Sequence, residues 1–106
     1  MPNYLIQASY SVDGLKGLLK DGGSKRRQAV DQLVNSMGGK LETFYFAFGS
    51  PDVFAIADLP DDATAAAVSL AASATGAVGL RTTVLITPET MDEATKKTVN
   101  YRPPGQ

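Results

Sequence analysis

The stretch Asp21-Gly22-Gly23-Ser24-Lys25-Arg26-Arg27 is the densest run of groups able to do chemistry in this chain. A helix starting there offers unpaired backbone amides and partial positive charge, and paired glycines let the backbone approach an anion. Cations at a helix N-terminus oppose the helix dipole, and that local conflict points to a phosphate or carboxylate site. Its residues would be Gly22, Gly23, Ser24, Lys25, Arg26 and Arg27. The spacing is not that of a P-loop, because no G-x-x-x-x-G-K-[ST] occurs. The same residues also read as a solvated face, with Arg27 paired to Asp31 one helical turn on.

Arg81 is the second candidate. It stands at a strand start beside Thr82 and Thr83, and shares a face with Gln7 and Ser9 if the two strands are neighbours in suitable register. Polar groups in an otherwise apolar pocket orient a small polar ligand. The other reading is an arginine that faces solvent or pairs with an acid across an interface. Tyr4, Tyr10, Tyr45 and Tyr101 are phenols able to take part in proton transfer. Strand tyrosines equally serve as core or interface residues with a satisfied hydroxyl. Asp61-Asp62 and Glu89, Asp92 and Glu93 fall where helix starts favour negative charge, so neither a hydrolytic carboxylate pair nor a metal site is expected.

Composition narrows the chemistry further. The chain has neither cysteine nor histidine. Disulfides, zinc–thiolate sites, cysteine nucleophiles, histidine acid–base catalysis and the usual haem ligand are excluded with them. No cofactor is expected. At 106 residues the chain is one domain. Its net charge of −1 lacks the basic excess that nucleic-acid or membrane-surface binding needs, so neither partner is expected. The N-terminus MPNYLIQASY has no charged n-region or apolar h-region, and no run approaches membrane-spanning length. A cytoplasmic location is the default expectation.

These residues need a scaffold. Asn3–Tyr10 alternates as a strand, with Tyr4, Ile6, Ala8 and Tyr10 on one face and Leu5, Gln7 and Ser9 on the other. Leu15, Leu18 and Leu19 have helical spacing within Val12–Lys20, which Gly14 and Gly17 weaken. Asp21-Gly22-Gly23 breaks that helix and Ser24 can cap a second, with Ala29, Val30, Leu33, Val34 and Met37 as its stripe and Gly38-Gly39 as its stop. Lys40–Phe48 and Asp52–Leu59 read as strands. Asp61-Asp62 then caps an alanine-rich helix suited to close approach on a sheet. Leu80–Thr87 is a fourth strand, and Thr87-Pro88 opens a short helix reaching about Thr98. The domain spans residues 1–98, and the tail 99–106, with YRPPG, is extended. The predicted class is α+β: a βαββαβ order, a four-stranded antiparallel sheet, helices on one face and a short C-terminal helix.

The hairpin FYFAFGSPDVFAIADL barely alternates. Phe44, Phe46 and Phe48 share one parity and Leu41, Thr43, Tyr45 and Ala47 the other, while Phe54 and Ile56 oppose Val53, Ala55, Ala57 and Leu59. A three-residue loop would segregate the bulky residues; a two- or four-residue loop would set phenylalanine opposite alanine. Two helices cover only one side of such a sheet. The uncovered apolar side predicts an interface, most simply with a second copy, sheet on sheet about a two-fold axis. At roughly 25 cal/mol per Å², a ~1,600 Å² interface retains ample association energy after entropic costs. The competing expectation is that the C-terminal helix and tail fold back over the sheet.

Taken together, YLIQASY, GLKGLLKDGGSKRR, FYFAFG…DVFAIADLPD…ATAAA, RTT, TPETMDEA and YRPPG resemble the GYD-domain proteins, small bacterial proteins of uncharacterised function. The resemblance covers nearly the whole chain and implies a ferredoxin-like, dimeric α+β barrel. The name-giving Gly-x-Tyr-Asp is kept only in part, as Gly49-Ser50-Pro51-Asp52. Pro51 stands in the tyrosine's place, fixing φ and removing a donor and a phenol. Gly49 and Asp52 carry over as turn-shaping residues, glycine for positive φ and aspartate for capping amides. The turn is also similar to effector-binding turns of amino-acid-sensing regulators on this type of dimer. The expected function is therefore a homo-oligomeric module binding a small polar or anionic metabolite, with Gly49, Asp52, Arg81, Gln7 and Ser9 as ligand residues. The alternative is a cofactor-independent enzyme, similar to monooxygenases and isomerases of that superfamily.

Overall fold

In a computed structural model of the protein, all residues from Met1 to Gln106 are described. The first strand, β1 (Asn3–Tyr10), has the predicted bounds. Ser11 follows as a cap, its hydroxyl accepting the Gly14 N–H, and α1 (Val12–Asp21) begins. At Gly22, with φ of 82°, the chain reverses without a loop. The Gly22 N–H donates to the Leu18 carbonyl at 2.8 Å and its own carbonyl accepts from Arg26 at 3.3 Å, so one residue ends α1 and opens α2 (Gly23–Ser36). The cap expected at Ser24 is thereby displaced. A residue without Cβ tolerates the left-handed turn, so α2 starts early and Ser24 falls inside its first turn.

The hairpin is built from β2 (Lys40–Phe46) and β3 (Val53–Asp58), joined by residues 47–52. Each strand is shorter than predicted, and Phe48 lies in the loop, fully exposed. Asp61 caps α3 (Asp62–Ala74) by accepting the Thr64 N–H at 2.8 Å, and the Thr64 hydroxyl and amide hold its carboxyl below the usual range. The last strand, β4 (Val78–Leu85), is offset by two residues from the expected Leu80–Thr87. Val78 pairs with Tyr10, extending the start, and Thr87 is consumed as the cap of α4 (Pro88–Lys96), where it accepts the Thr90 N–H.

The elements run βααββαβα, and the sheet order β2-β3-β1-β4 is antiparallel throughout, an α+β arrangement consistent with a ferredoxin-like fold. The even-membered hairpin loop sets Phe44 opposite Ala55 and Tyr45 opposite Phe54. A register shift between Leu41 and Thr43 corrects the parity read from sequence. It moves Leu41 away from Tyr45's face to pair with Ala57 on the helix side.

The core lies between sheet and helices. Tyr4, Val34, Ala57, Leu59 and Ala65 form one cluster, and Ala8, Val53, Ala55 and Val78 the other, with Ile6 and Leu41 touching both. The alanine-rich α3 approaches closely, as its composition predicts: Ala65 and Val68 are buried, and Ser69 Oγ lies 2.8 Å from Thr82 Oγ1 of β4. The Leu15–Leu18–Leu19 stripe behaves differently. Leu18 is half-buried, whereas Leu15 and Leu19 are exposed, Leu19 at 86 %. α1 fully buries none of its side chains and packs mainly at the end of β1 and against α2.

The outer face of the sheet is arranged in cross-strand rows. Tyr45, Phe54, Gln7 and Arg81 make one; Thr43, Ile56, Leu5 and Thr83 make the next. Its β2–β3 half is therefore apolar and its β1–β4 half more polar. The C-terminal segment does not fold back over it. Tyr45 is 68 % exposed, and α4 with residues 97–106 is exposed throughout. That arm stretches the molecule to 55 Å and raises its radius of gyration to 16.9 Å. A compact domain of this length would have about 13 Å. No helix is long and apolar enough to cross a membrane.

Candidate functional site

Two concavities hold the chemistry-bearing residues. The outer one follows from strand alternation: Gln7 and Ser9 of β1 project from the uncovered face, and the antiparallel register puts Arg81 directly opposite Gln7 and Gly79 opposite Ser9. Gly79 carries no side chain, which leaves a hollow between them. Ser50 and Pro51 of the hairpin loop close its side, giving a cleft of about 370 Å³ lined by Gln7, Ser9, Ser50, Pro51, Gly79, Leu80 and Arg81. Arg81 is exposed and has no carboxylate within ion-pair distance; the chain's one ion pair is Lys25–Asp21, at 3.8 Å. A cation with both a side-chain amide and a hydroxyl alongside can orient a small anion.

Gly49 and Asp52 shape this cleft's wall and do not line it. Gly49 takes φ of 153°, a value that suits glycine. Asp52 accepts the Tyr10 N–H on Oδ2 at 2.8 Å, tying the loop to the end of β1. Pro51, which replaces the motif's tyrosine, is itself part of the lining. Ser50 and Pro51 were not foreseen as lining residues, since only the loop's path over the sheet end brings them there.

The run from Gly22 to Arg27 does not converge on one point. Lys25 pairs with Asp21, while Arg27, Ser24, Gln28 and Asp31 line a shallow depression in which no Arg27–Asp31 ion pair forms. Arg26 turns inward. Its Nε donates to Tyr10 Oη at 3.1 Å, and its guanidinium carbon lies 5.8 Å from the Tyr10 ring centroid.

That pair marks the second concavity, bounded by α1, α2 and α3. An outer cavity of about 400 Å³ contains Tyr10, Arg26, Asp13 and Asp21. It shares Tyr10, Arg26, Leu33, Ala72 and Val78 with a narrow slot of about 60 Å³ that descends to the sheet. Nothing in the spacing of Tyr10 and Arg26 announced their meeting; the helix reversal at Gly22 is the only local sign. No three acidic side chains gather as a metal-binding group.

A four-stranded β2-β3-β1-β4 sheet with α1, α2 and α3 on one side and a Gly-x-x-Asp hairpin at its end defines a small α+β module. The GYD domain matches residues 4–95, and the chain belongs to the GYD-domain family. No curated protein and no solved structure matches it.

Proposed function

We propose that this GYD-domain protein is a self-associating module that binds a small polar or anionic metabolite in the outer cleft. The observation that carries this reading is the meeting of Gln7, Ser9 and unpaired Arg81 beside an uncovered apolar sheet face. The two halves of the claim depend on each other. Alone, the cleft is open to water, where a single arginine holds an anion weakly. A second sheet seated on Tyr45, Phe54, Ile56 and Leu5 would enclose it and strengthen the contact. If the two-fold axis runs along the strands, Tyr45 of one copy sits over Arg81 of the other, a cation–π arrangement at the rim. The exposed arm, with Met91, Val99 and Tyr101 uncovered, supplies further surface for the second copy.

Thermal-shift screening of carboxylate and phosphate metabolites tests the reading. A ligand at a hundred times its Kd adds about 2.7 kcal/mol to the folded state. The expected result is stabilisation that Arg81→Gln abolishes. Flat melting across the library, or equal shifts in the variant, would overturn it.

The inner slot supports a second reading, a cofactor-independent enzyme. It is apolar and partly enclosed, with the Tyr10 phenol at its mouth. Tyr10 Oη meets a cation there and no carboxylate base, which favours binding over proton transfer as the first reading.

A further inference from the structure

Fourteen of the fifteen residues lining the inner slot are hydrophobic, and the exception, Arg26, stands at the mouth. The Arg26 Nε is committed to Tyr10 Oη, but the terminal nitrogens of its guanidinium have no protein partner. An apolar channel ending in a free pair of N–H donors is shaped for an amphiphile. We propose that the slot binds a slim aliphatic monocarboxylate, tail against the sheet and carboxylate on Arg26.

Size, charge and geometry each restrict the ligand. The slot's volume is about 60 Å³. A water needs roughly 10–15 Å³ and an apolar cavity that accepts benzene measures about 150 Å³, so the slot admits an unbranched chain and excludes a ring. At the mouth, Asp13 and Asp21 share the outer cavity with Arg26. Their negative charge disfavours a phosphate dianion more than a single carboxylate. The planar guanidinium fork matches a carboxylate, and Tyr10 holds that fork in place through both its hydroxyl and its ring. The tail would lie along Ala55, Val53, Val78 and Leu80. This slot lies on the helix side of the sheet, shares only Leu80 with the outer cleft and does not include Arg81.

The test uses straight-chain carboxylates from butanoate to decanoate and the matching alcohols, titrated into the full chain with methyl-labelled valine and leucine. Affinity should rise about fourfold per added methylene, the factor for burying one CH₂, and level off once the slot is full. The Val53 and Val78 methyl signals, which belong to the slot and not to the outer cleft, should shift most. Arg26→Gln should bring each acid, read at these slot methyls, down to the affinity of its alcohol. Ala55→Leu should block long chains by filling the slot. If that variant does not fold, Ala72→Leu at the half-buried mouth serves instead. Affinity independent of chain length, methyl shifts outside the slot, or unchanged acid binding in Arg26→Gln would overturn the proposal.

Discussion

The Asp52 carboxylate accepts the Tyr10 backbone N–H at 2.8 Å, while the Asp52 N–H donates to the Ala8 carbonyl at 2.8 Å. The hairpin loop is thus clamped to the end of β1, and the clamped residue carries the phenol that positions Arg26. One short segment sets both the wall of the outer cleft and the mouth of the inner slot. Asp52 acts through Tyr10 and the loop; it is a positioning residue for each concavity.

Replacing Asp52 with alanine leaves the part-buried Tyr10 N–H without its acceptor. The expected loss is about 1–3 kcal/mol, read from the urea midpoint at constant m. Asp52→Asn retains a carbonyl acceptor and should lose less. Equal losses for both variants would show that charge, and not the acceptor, sustains the contact.

Gly14 and Gly17 separate helix propensity from packing. Alanine at either position of a helix interior should gain about 0.5–1 kcal/mol on propensity alone. Nothing lies within 4 Å of a Cβ at Gly17, so Gly17→Ala should realise that gain. At Gly14 a Cβ would collide with the Ala77 carbonyl oxygen, which accepts the Ser11 N–H at 2.9 Å. Overpacking of this kind costs about 1–3 kcal/mol, so Gly14→Ala should destabilise. Thermal unfolding of the two variants should move in opposite directions.

Strand and helix identities were legible because their signals are local. The alternation in Asn3–Tyr10, the Asp61 and Thr87 caps and the alanines of α3 each depend on neighbours in sequence. The meeting of Gln7 and Arg81 was readable as a conditional, since it needed only the pairing of β1 with β4. The side change at Leu41 was not legible, because a bulge leaves no mark in a two-residue periodicity. The fates of Arg26 and Arg27 were equally hidden. Helical spacing suggested an Arg27–Asp31 pair, but whether a surface pair forms depends on competing partners and solvent. The Tyr10–Arg26 contact depends on how two helices and a strand converge, which no local pattern encodes.

Tyr45 and the C-terminal arm provide a test of self-association that leaves the subunit intact. Tyr45 is well exposed, so Tyr45→Glu should alter subunit stability by no more than about 0.5 kcal/mol. If the outer faces meet, a charge there should shift sedimentation from dimer to single chain. Truncation after Ile86 removes only exposed residues and should likewise preserve the fold while weakening the dimer. A wild-type protein that sediments as a single chain at working concentration would rule out the paired sheets.

Tyr4 should give the protein an alkaline limit. Its hydroxyl donates to Asp62 Oδ1 at 2.6 Å. That bond, together with burial and the negative charges of Asp62 and Asp61, pushes the phenol up to about 12 from 10.0. Above pH ~10 the unfolded chain releases the Tyr4 proton while the folded chain keeps it, so folding stability falls as pH rises through this window and the contribution is gone above it. Below pH ~10 the contribution is fully present. Tyr4→Phe removes the titrating group, so the stability gap between wild type and variant should narrow as pH climbs from about 9 to about 12. Urea midpoints across that range check the sign, and parallel curves for the two proteins would show that Tyr4 is not the group responsible.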